Sequence, residues 1–534
     1  VYRYQFRWPR SAATRDRASM TMEFLDRPTQ FEERTGPAYW IDEAIWGHRL
    51  HDEQSPWLTF LEFLTVLLSE HREGRALSEE TYNSLSYKPQ LQLRLRNLVF
   101  NNPHVMTVRA EAGSDDAAWS LWLNKMAETA GGIDKPDFRY LRDRFETFDD
   151  FAAVLNFLQG SAIEGSSNKR WSSKFVFPFG AHSLFEDVNV KPNGSVSNDR
   201  RFFARTGEIL YLMLSRSKHA DELRVLLTSR FLDQPAPYDA MARALQGDIQ
   251  LAKAERGGAY LPCSKHPVFD RMAEDWLSIL KLPIPGHDAV PHLVTTAGLN
   301  LLLYQLDRAR ELLDRSPVEL VCEIVSPKKS VVRDLSADSY QHNNMLPQLA
   351  IERFILRIAE TQAWTAAVAS DEPVLRASDL MQREFGWPDG DEDETVGDPK
   401  QLLDELLRKA TTRHKQHVGK IHATWSRAIG LSSRRSSRRV RYAPTDRLLK
   451  TLVVACVDNR LEFKDFLVRL HQRYGIVIGD AQARSFVDAG TADQEDFSDN
   501  AHRLEERLAS LGLLRRLSDS CAYVENPFQR ARAE

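Results

Sequence analysis

Between Leu406 and Thr445 the chain carries eleven arginines and lysines and no aspartate or glutamate. They are Arg408, Lys409, Arg413, Lys415, Lys420, Arg427, Arg434, Arg435, Arg438, Arg439 and Arg441, and His414, His417 and His422 can add charge beside an anion. A local sum of +11 attracts polyanions, and guanidinium groups pair phosphate oxygens in a bidentate fashion. The run Ser432-Ser-Arg-Arg-Ser-Ser-Arg-Arg439 wants a counter-charge in either conformation. As a helix it stacks Arg434 on Arg438 and Arg435 on Arg439, where like charges repel. As an extended ribbon it lines up four guanidinium groups. Trp425 and Tyr442 are the aromatics of the segment, so base stacking is weakly signalled. The competing reading is a solvated linker held by the acidic run Asp389-Gly-Asp-Glu-Asp-Glu394 just upstream. The complete lack of acids favours nucleic acid.

The remainder of the chain reverses that sign. The 534 residues carry a net charge of −4, and outside the segment 60 basic side chains face 75 acidic ones, so affinity for nucleic acid has to be local. Hydrophobic residues at 42% and charged residues at 27% describe a globular chain, long enough for three or four domains. Cys263, Cys322, Cys456 and Cys521 form no CxxC pair, which excludes a zinc ribbon and offers no disulfide framework. Buried reduced thiols in a cytoplasmic protein are the expectation. The opening residues alternate aromatics with arginines instead of forming a signal peptide, and the longest apolar stretch, 299–306, is too short to span a bilayer, so no membrane partner is expected.

Other candidate chemistry is weaker. Val418-Gly-Lys420 lacks the rest of a Walker A loop, and neither HExxH nor GxSxG occurs. Glu323 ahead of Pro327-Lys328-Lys329 invites a nuclease reading, but Val325 stands where the metal-site lysine belongs, and a solvent-facing edge-strand glutamate is the preferred account. No catalytic residue, metal ligand or cofactor is assigned. His48 and His51 read as surface histidines. Arg200, Arg201 and Arg205 precede an apolar helix at 206–214, where a helix N-terminus plus arginines makes an anion site. Arginines lying along Phe202 and Phe203, or paired with Asp199 and Glu208, explain them equally well.

These residues need elements to position them. A strand is expected at 2–8, helices at 56–67, 115–127 and 149–158, a loop at 160–170 and a strand at 174–179. Helices follow at 267–280 and 291–314, a strand at 318–325, a helix through 349–359 with Ser336 or Asp338 capping its element, and a helix from Asp398. Expected domains are 1–160 (mostly helical), 161–345 (α+β), 346–445 (helical, with the acidic linker and basic clamp) and 446–534. This last part reads as a capped helix from Thr445, a helix at 461–474, a strand at 476–479, a helix from Ser498 to Gly512, and a hairpin of 513–517 with 521–525. That order resembles the winged-helix family, whose third helix enters the major groove while the wing touches the backbone. By position, His502, Arg503 and Arg507 lie on that helix, and Arg515 and Arg516 in the wing. Glu505 and Glu506 depart from the pattern, because carboxylates repel phosphate, and they leave protein docking open beside DNA reading. The fold class is mainly α with small β elements (α+β), a multi-domain helical body with a C-terminal winged-helix-like domain.

Two stretches, Arg201-Phe-Phe-Ala-Arg-Thr-Gly-Glu-Ile-Leu-Tyr-Leu-Met-Leu214 and the Leu-Gly-Leu-Leu to Tyr-Val-Glu-Asn-Pro-Phe528 ending, resemble accessory subunits of bacterial multi-gene anti-phage islands of the methylation- or phosphorothioation-associated kind. The resemblance implies a non-catalytic partner of helicase, ATPase or modification subunits. Together with the basic segment it points to nucleic acid, DNA ahead of RNA, gripped by its phosphates. The alternatives are an effector nuclease with a diverged metal site and a winged-helix transcriptional regulator.

Overall fold

The computed structural model describes residues 37–48, 50–81, 85–100, 102, 104–161, 180–182, 184, 188–190, 196–198, 204–233, 237–248, 250–252, 255–326, 330–386, 397–435, 438–518 and 521–529. The expected strands at 2–8 and 174–179, most of the 160–170 loop, Arg200, Arg201, residues 327–329 and the acidic linker 389–394 lie outside these. The first elements are α1 (Pro37–Trp46), α2 (Pro56–Arg72), β1 (Gln90–Leu91), α3 (Leu93–Phe100), α4 (His104–Glu111), α5 (Asp115–Thr129), α6 (Phe148–Ser161), β2 (Val188–Val190), β3 (Val196–Asn198), α7 (Thr206–Ser215), α8 (Ala220–Leu227), α9 (Pro237–Gln246) and β4 (Gln250–Leu251). Next come α10 (Pro267–Leu280), α11 (Gly286–Leu312), β5 (Leu320–Val321), α12 (Val331–Leu356), α13 (Gln362–Val368), α14 (Pro373–Phe385), α15 (Pro399–His417), α16 (Ile421–Ala428), β6 (Ser432–Ser433) and β7 (Arg441–Tyr442). The last are α17 (Asp446–Cys456), β8 (Arg460–Glu462), α18 (Phe463–Tyr474), β9 (Ile476–Val477), α19 (Arg484–Asp488), α20 (Gln494–Ser510), β10 (Leu514–Ser518) and β11 (Cys521–Glu525). The protein is mainly α with small β elements, as its sequence indicates.

The chain forms two compact units. One takes in the described parts of Trp57–Arg216 and Ala220–Ala259, the other those of Val1–Pro56, Ser217–His219 and Tyr260–Glu534. The boundaries expected at 160 and 345 fall inside the continuous helices α6 and α12. In the first unit Ser114 caps α5 by accepting from the Ala117 amide. Its helical spacing brings Trp119 and Trp122 against Phe148 and Phe151, with ring centroids 4.7–6.3 Å apart.

In the second unit the long helices α11 and α12 carry the core. Ser330 caps α12 by accepting from the Arg333 amide, so the cap lies ahead of the expected Ser336 or Asp338. Ser336 instead sits inside the helix and donates to the Tyr442 carbonyl at 2.7 Å. The strand expected at 318–325 shortens to β5, which pairs in parallel with β9 through Leu320 with Ile476 and Val321 with Val477. Beyond it the backbone is held by other means: the Cys322 amide donates to the Val477 carbonyl (2.9 Å) and the Glu323 amide to the Tyr442 carbonyl (3.0 Å). Buried Asn500 accepts from the Ile324 amide (2.8 Å) and donates to the carbonyls of Cys322 (2.9 Å) and Ile478 (3.0 Å).

Glu323 is not the solvent-facing residue expected of an edge strand. It is fully buried, accepting from Arg333 Nε at 2.8 Å and from Arg441 Nε. The backbone enters the interior here, and the two guanidinium partners make a buried carboxylate tolerable. His48 is likewise buried, its Nδ1 3.2 Å from Glu43, whereas His51 lies against the His417 ring. Cys322 and Cys456 are buried free thiols, and Cys263 is buried with its Sγ 3.9 Å from the Tyr304 hydroxyl.

At the C-terminal end Thr445 caps α17 through the Leu448 amide, as its position suggests. The third long helix, α20, starts a turn earlier than expected, because Asp493 and Asp496 form a reciprocal capping box and leave Ser498 inside the helix. The hairpin β10–β11 forms where expected, and its third strand is β8, paired through Glu462 with Tyr523 and Leu461 with Val524. The residue pattern places the start of a helix at 461, but Arg460–Glu462 form β8 and the helix begins at Phe463. Breaking the buried ion pairs tests this arrangement: Glu323→Ala strands two guanidinium groups in the interior and should cost about 3–5 kcal/mol in chemical denaturation, with Glu323→Gln losing less. Unchanged stability in the alanine variant would contradict the buried position of the carboxylate.

Candidate nucleic-acid interface

Leu402, Leu403, Leu406 and Ala410 bury one face of α15, which opens at the Asp398 cap. Lys415 then faces solvent, as do Lys420, in the turn before α16, and Arg427 near that helix's end. Arg413 is half-buried, and burial pushes its guanidinium down to about 10. Lys409 and Arg408 lie within ion-pair distance of Glu405, at 2.6 and 3.9 Å.

After α16 the chain makes a hairpin. Gly430 has φ +81°, and a Cβ there would lie 2.1 Å from Thr445 Oγ1, so glycine lets the two arms close. The arms are joined by the Thr445 amide on the Gly430 carbonyl and the Ala443 amide on the Leu431 carbonyl, both 2.9 Å, and by the β6–β7 pairing of Ser432 with Tyr442 and Ser433 with Arg441. The Ser426 and Ser432 hydroxyls meet at 2.8 Å. Among the described residues of the Ser432–Arg439 run, Ser432 and Ser433 belong to the pinned stem and the arginines follow beyond it, so the run is not one helix. Arg434, Arg435, Arg438 and Arg439 are exposed there. Arg439 is bonded to Asp338 on α12 and lies 3.5 Å from Gln341 Oε1.

The stem takes the opposite course. Arg441 is wholly buried on Glu323, so it is not presented to an external phosphate. Tyr442 is buried with its hydroxyl 2.7 Å from His422 Nε2 and accepting from Asn343 at 3.1 Å. Trp425 is buried, donating from Nε1 to the Gln54 carbonyl at 2.8 Å. His414 is buried 2.9 Å from Asp42, and burial pushes His422 down to about 3, so His422 adds no charge at neutral pH.

The other basic candidates are largely matched internally. On α20, Arg503 lies 3.5 Å from Asp499 and Arg507 is 2.6 Å from Asp446. Arg516 is 2.6 Å from Glu505, while Arg515 is exposed. The exposed stripe of α20 reads Glu495, Asp499, His502 and Glu506, with His502 3.4 Å from Glu506. At the α7 N-terminus the protein supplies its own anion: Glu62 accepts from the amides of Arg205 (3.0 Å) and Gly207 (2.7 Å). Arg205 itself is tied to Glu208 at 2.7 Å and to the Gly257 carbonyl at 2.8 Å. Sequence reasoning missed Gln341, Glu62 and Asn500, and it read Asp338 as a helix cap instead of a partner of Arg439. No local pattern marks them, because each acts on a partner far away in the chain.

Among the described residues, no group of three or more His, Cys, Asp or Glu side chains is placed to hold a metal, and no helix is long and apolar enough to cross a membrane. The model of the family described as methylation-associated defense system protein MAD7 matches residues 405–526, which take in the arginine hairpin and nearly all of the C-terminal module. This match associates the chain with a defence system, as the resemblance read in the sequence implied. No curated protein and no solved structure matches the chain.

Because burial depresses His422 in the folded state, the unfolded chain binds that proton more tightly. Its contribution to stability is complete above pH 6.5 and is lost as pH falls toward 3. At pH 5 the loss should be about 2 kcal/mol relative to pH 7.5. His422→Gln should flatten this part of the stability–pH curve measured by urea unfolding.

Proposed function

We propose that this chain is a non-enzymatic, nucleic-acid-binding subunit of a cytoplasmic methylation-associated defence complex, holding DNA by its phosphate backbone through the arginine hairpin. The observation that carries the reading is the exposure of Arg434, Arg435, Arg438 and Arg439 at the end of a stem rooted in the core. Lys415, Lys420, Arg427 and the wing residue Arg515 are exposed cations that can extend the contact. What supports a winged-helix reading of the C-terminal module is the three-stranded sheet β10–β11–β8 beside helices α17, α18 and α20, with β9 and α19 inserted before α20. The acidic stripe on α20 suits that module to docking another subunit, such as a helicase, ATPase or modification enzyme, better than to entering a groove. A nuclease reading gains no support from Glu323, whose carboxylate is already bonded to two arginines.

Changing Arg434, Arg435, Arg438 and Arg439 together to Gln should weaken DNA binding strongly. It should also flatten the dependence of log K on log salt by about 3, chiefly from the lost phosphate contacts of Arg434, Arg435 and Arg438, since Asp338 holds Arg439. Fluorescence anisotropy over a salt series measures both, and an unaltered slope would defeat the proposal. Asp338→Asn should act in the opposite direction: it removes the carboxylate competing for Arg439, tightening binding and steepening the slope by up to about 0.9.

A further inference from the structure

We infer that the nucleic acid held by the arginine hairpin is a duplex read through its backbone alone, so that this chain is indifferent to base sequence and to base methylation; the inference rests on the hairpin being a polyanion site. Three features of the surface lead to it. Nonspecific single-strand binders stack successive bases on aromatic faces. Here the two aromatics of the basic segment, Trp425 and Tyr442, are 1% and 0% exposed and committed to internal hydrogen bonds. Tyr340, the ring packed on Tyr442 with centroids 5.4 Å apart, is buried as well. The hairpin's outward groups are guanidinium groups, and a base has no ring there to lie on.

The second feature is charge density. Arg434, Arg435, Arg438 and Arg439 fall between the paired Ser433 and Arg441, so four cations lie within six positions of the sequence. A duplex presents about one phosphate charge per 1.7 Å of axis, roughly twice that of one of its strands. A compact cation cluster gains more from the denser array.

The third feature concerns the base edges. The atoms that distinguish base pairs, and the C5, N4 and N6 positions that carry methyl marks, lie in the major groove. In the winged-helix arrangement the element that would reach them is α20. Its exposed stripe of Glu495, Asp499, His502 and Glu506 must pass between two rows of phosphates to do so, and Arg503 and Arg507 are engaged by Asp499 and Asp446. Like charge keeps that helix out of the groove. Discrimination of methylated from unmethylated DNA therefore falls to another component of the system, and this chain supplies grip.

The test is a set of anisotropy titrations with the full chain on labelled DNA of about three helical turns. The ligands are one unmethylated duplex, the same duplex with C5-methylcytosine or N6-methyladenine, a scrambled duplex, and the single strand. The four duplexes should bind within about twofold of one another, since a good base contact alone would separate them by tenfold or more. The single strand should bind several-fold more weakly, with a shallower salt slope and no quenching of tryptophan fluorescence. A methylated duplex differing more than about fivefold from its unmethylated form, or a single strand binding more tightly than the duplex, overturns the inference while leaving the hairpin as the binding site. Loss of the hairpin reading is seen separately: the Gln quadruple variant, with wild-type thermal unfolding, would bind every ligand as wild type does.

Discussion

A carboxylate held between two guanidinium groups in the interior sets the terms for much of the larger unit. Moving Glu323, Arg333 and Arg441 out of water is costly, and the cost is offset only if all three meet. The surrounding backbone is arranged so that they do. The Glu323 amide bonds to the Tyr442 carbonyl, Ser336 donates to that same carbonyl, and Asn500 secures Cys322 and Ile324 on the other side. One short segment, 320–324, thus joins α12, the stem of the arginine hairpin and α20. The hairpin stem and α20 lie far away in sequence, so the pairing orders the tertiary fold instead of any single element.

That constraint divides the basic segment. Drawing Arg441 inward fixes one arm of the hairpin, and glycine at 430 lets the other arm return beside Thr445. Tyr442, His422 and Trp425 follow the stem into the core, so the aromatics are spent on packing and the remaining arginines are left outside. A rooted hairpin of this kind differs physically from a basic tail. Less backbone freedom is lost when a ligand binds, so more of the electrostatic attraction appears as affinity.

Local features were legible in the sequence. The helix start at Asp398, the cap at Thr445, the α10 span at 267–280 and the terminal hairpin all depend on neighbours within a few residues, and their residue types announce them. Long-range partnerships were not legible. Sequence shows that an arginine wants a counter-charge but not which carboxylate supplies it. Arg205 and the amides beside it looked like an anion site and are satisfied by Glu208 and Glu62; Arg507 looked like a phosphate contact and is held by Asp446. Glu323 misled for the same reason, since a strand's exposed edge and its buried end share one composition. The strand β8 escaped notice because its three residues gain order only by adding to the hairpin.

The stretch matched by the defence-system family model, 405–526, contains the hairpin and the module but not the groups that fix them. Glu323, Arg333, Ser336, Asp338 and Asn343 all precede it, and β9 within it pairs with β5 outside it. Separated from those residues, Arg441 would have no carboxylate and the Tyr442 hydroxyl would lose one of its donors. The helical body therefore acts as the electrostatic counterpart of the matched region, neutralising the arginine that enters the core and restraining Arg439 at the edge. Which cations remain to meet a ligand is decided by carboxylates in the body as much as by the basic segment itself.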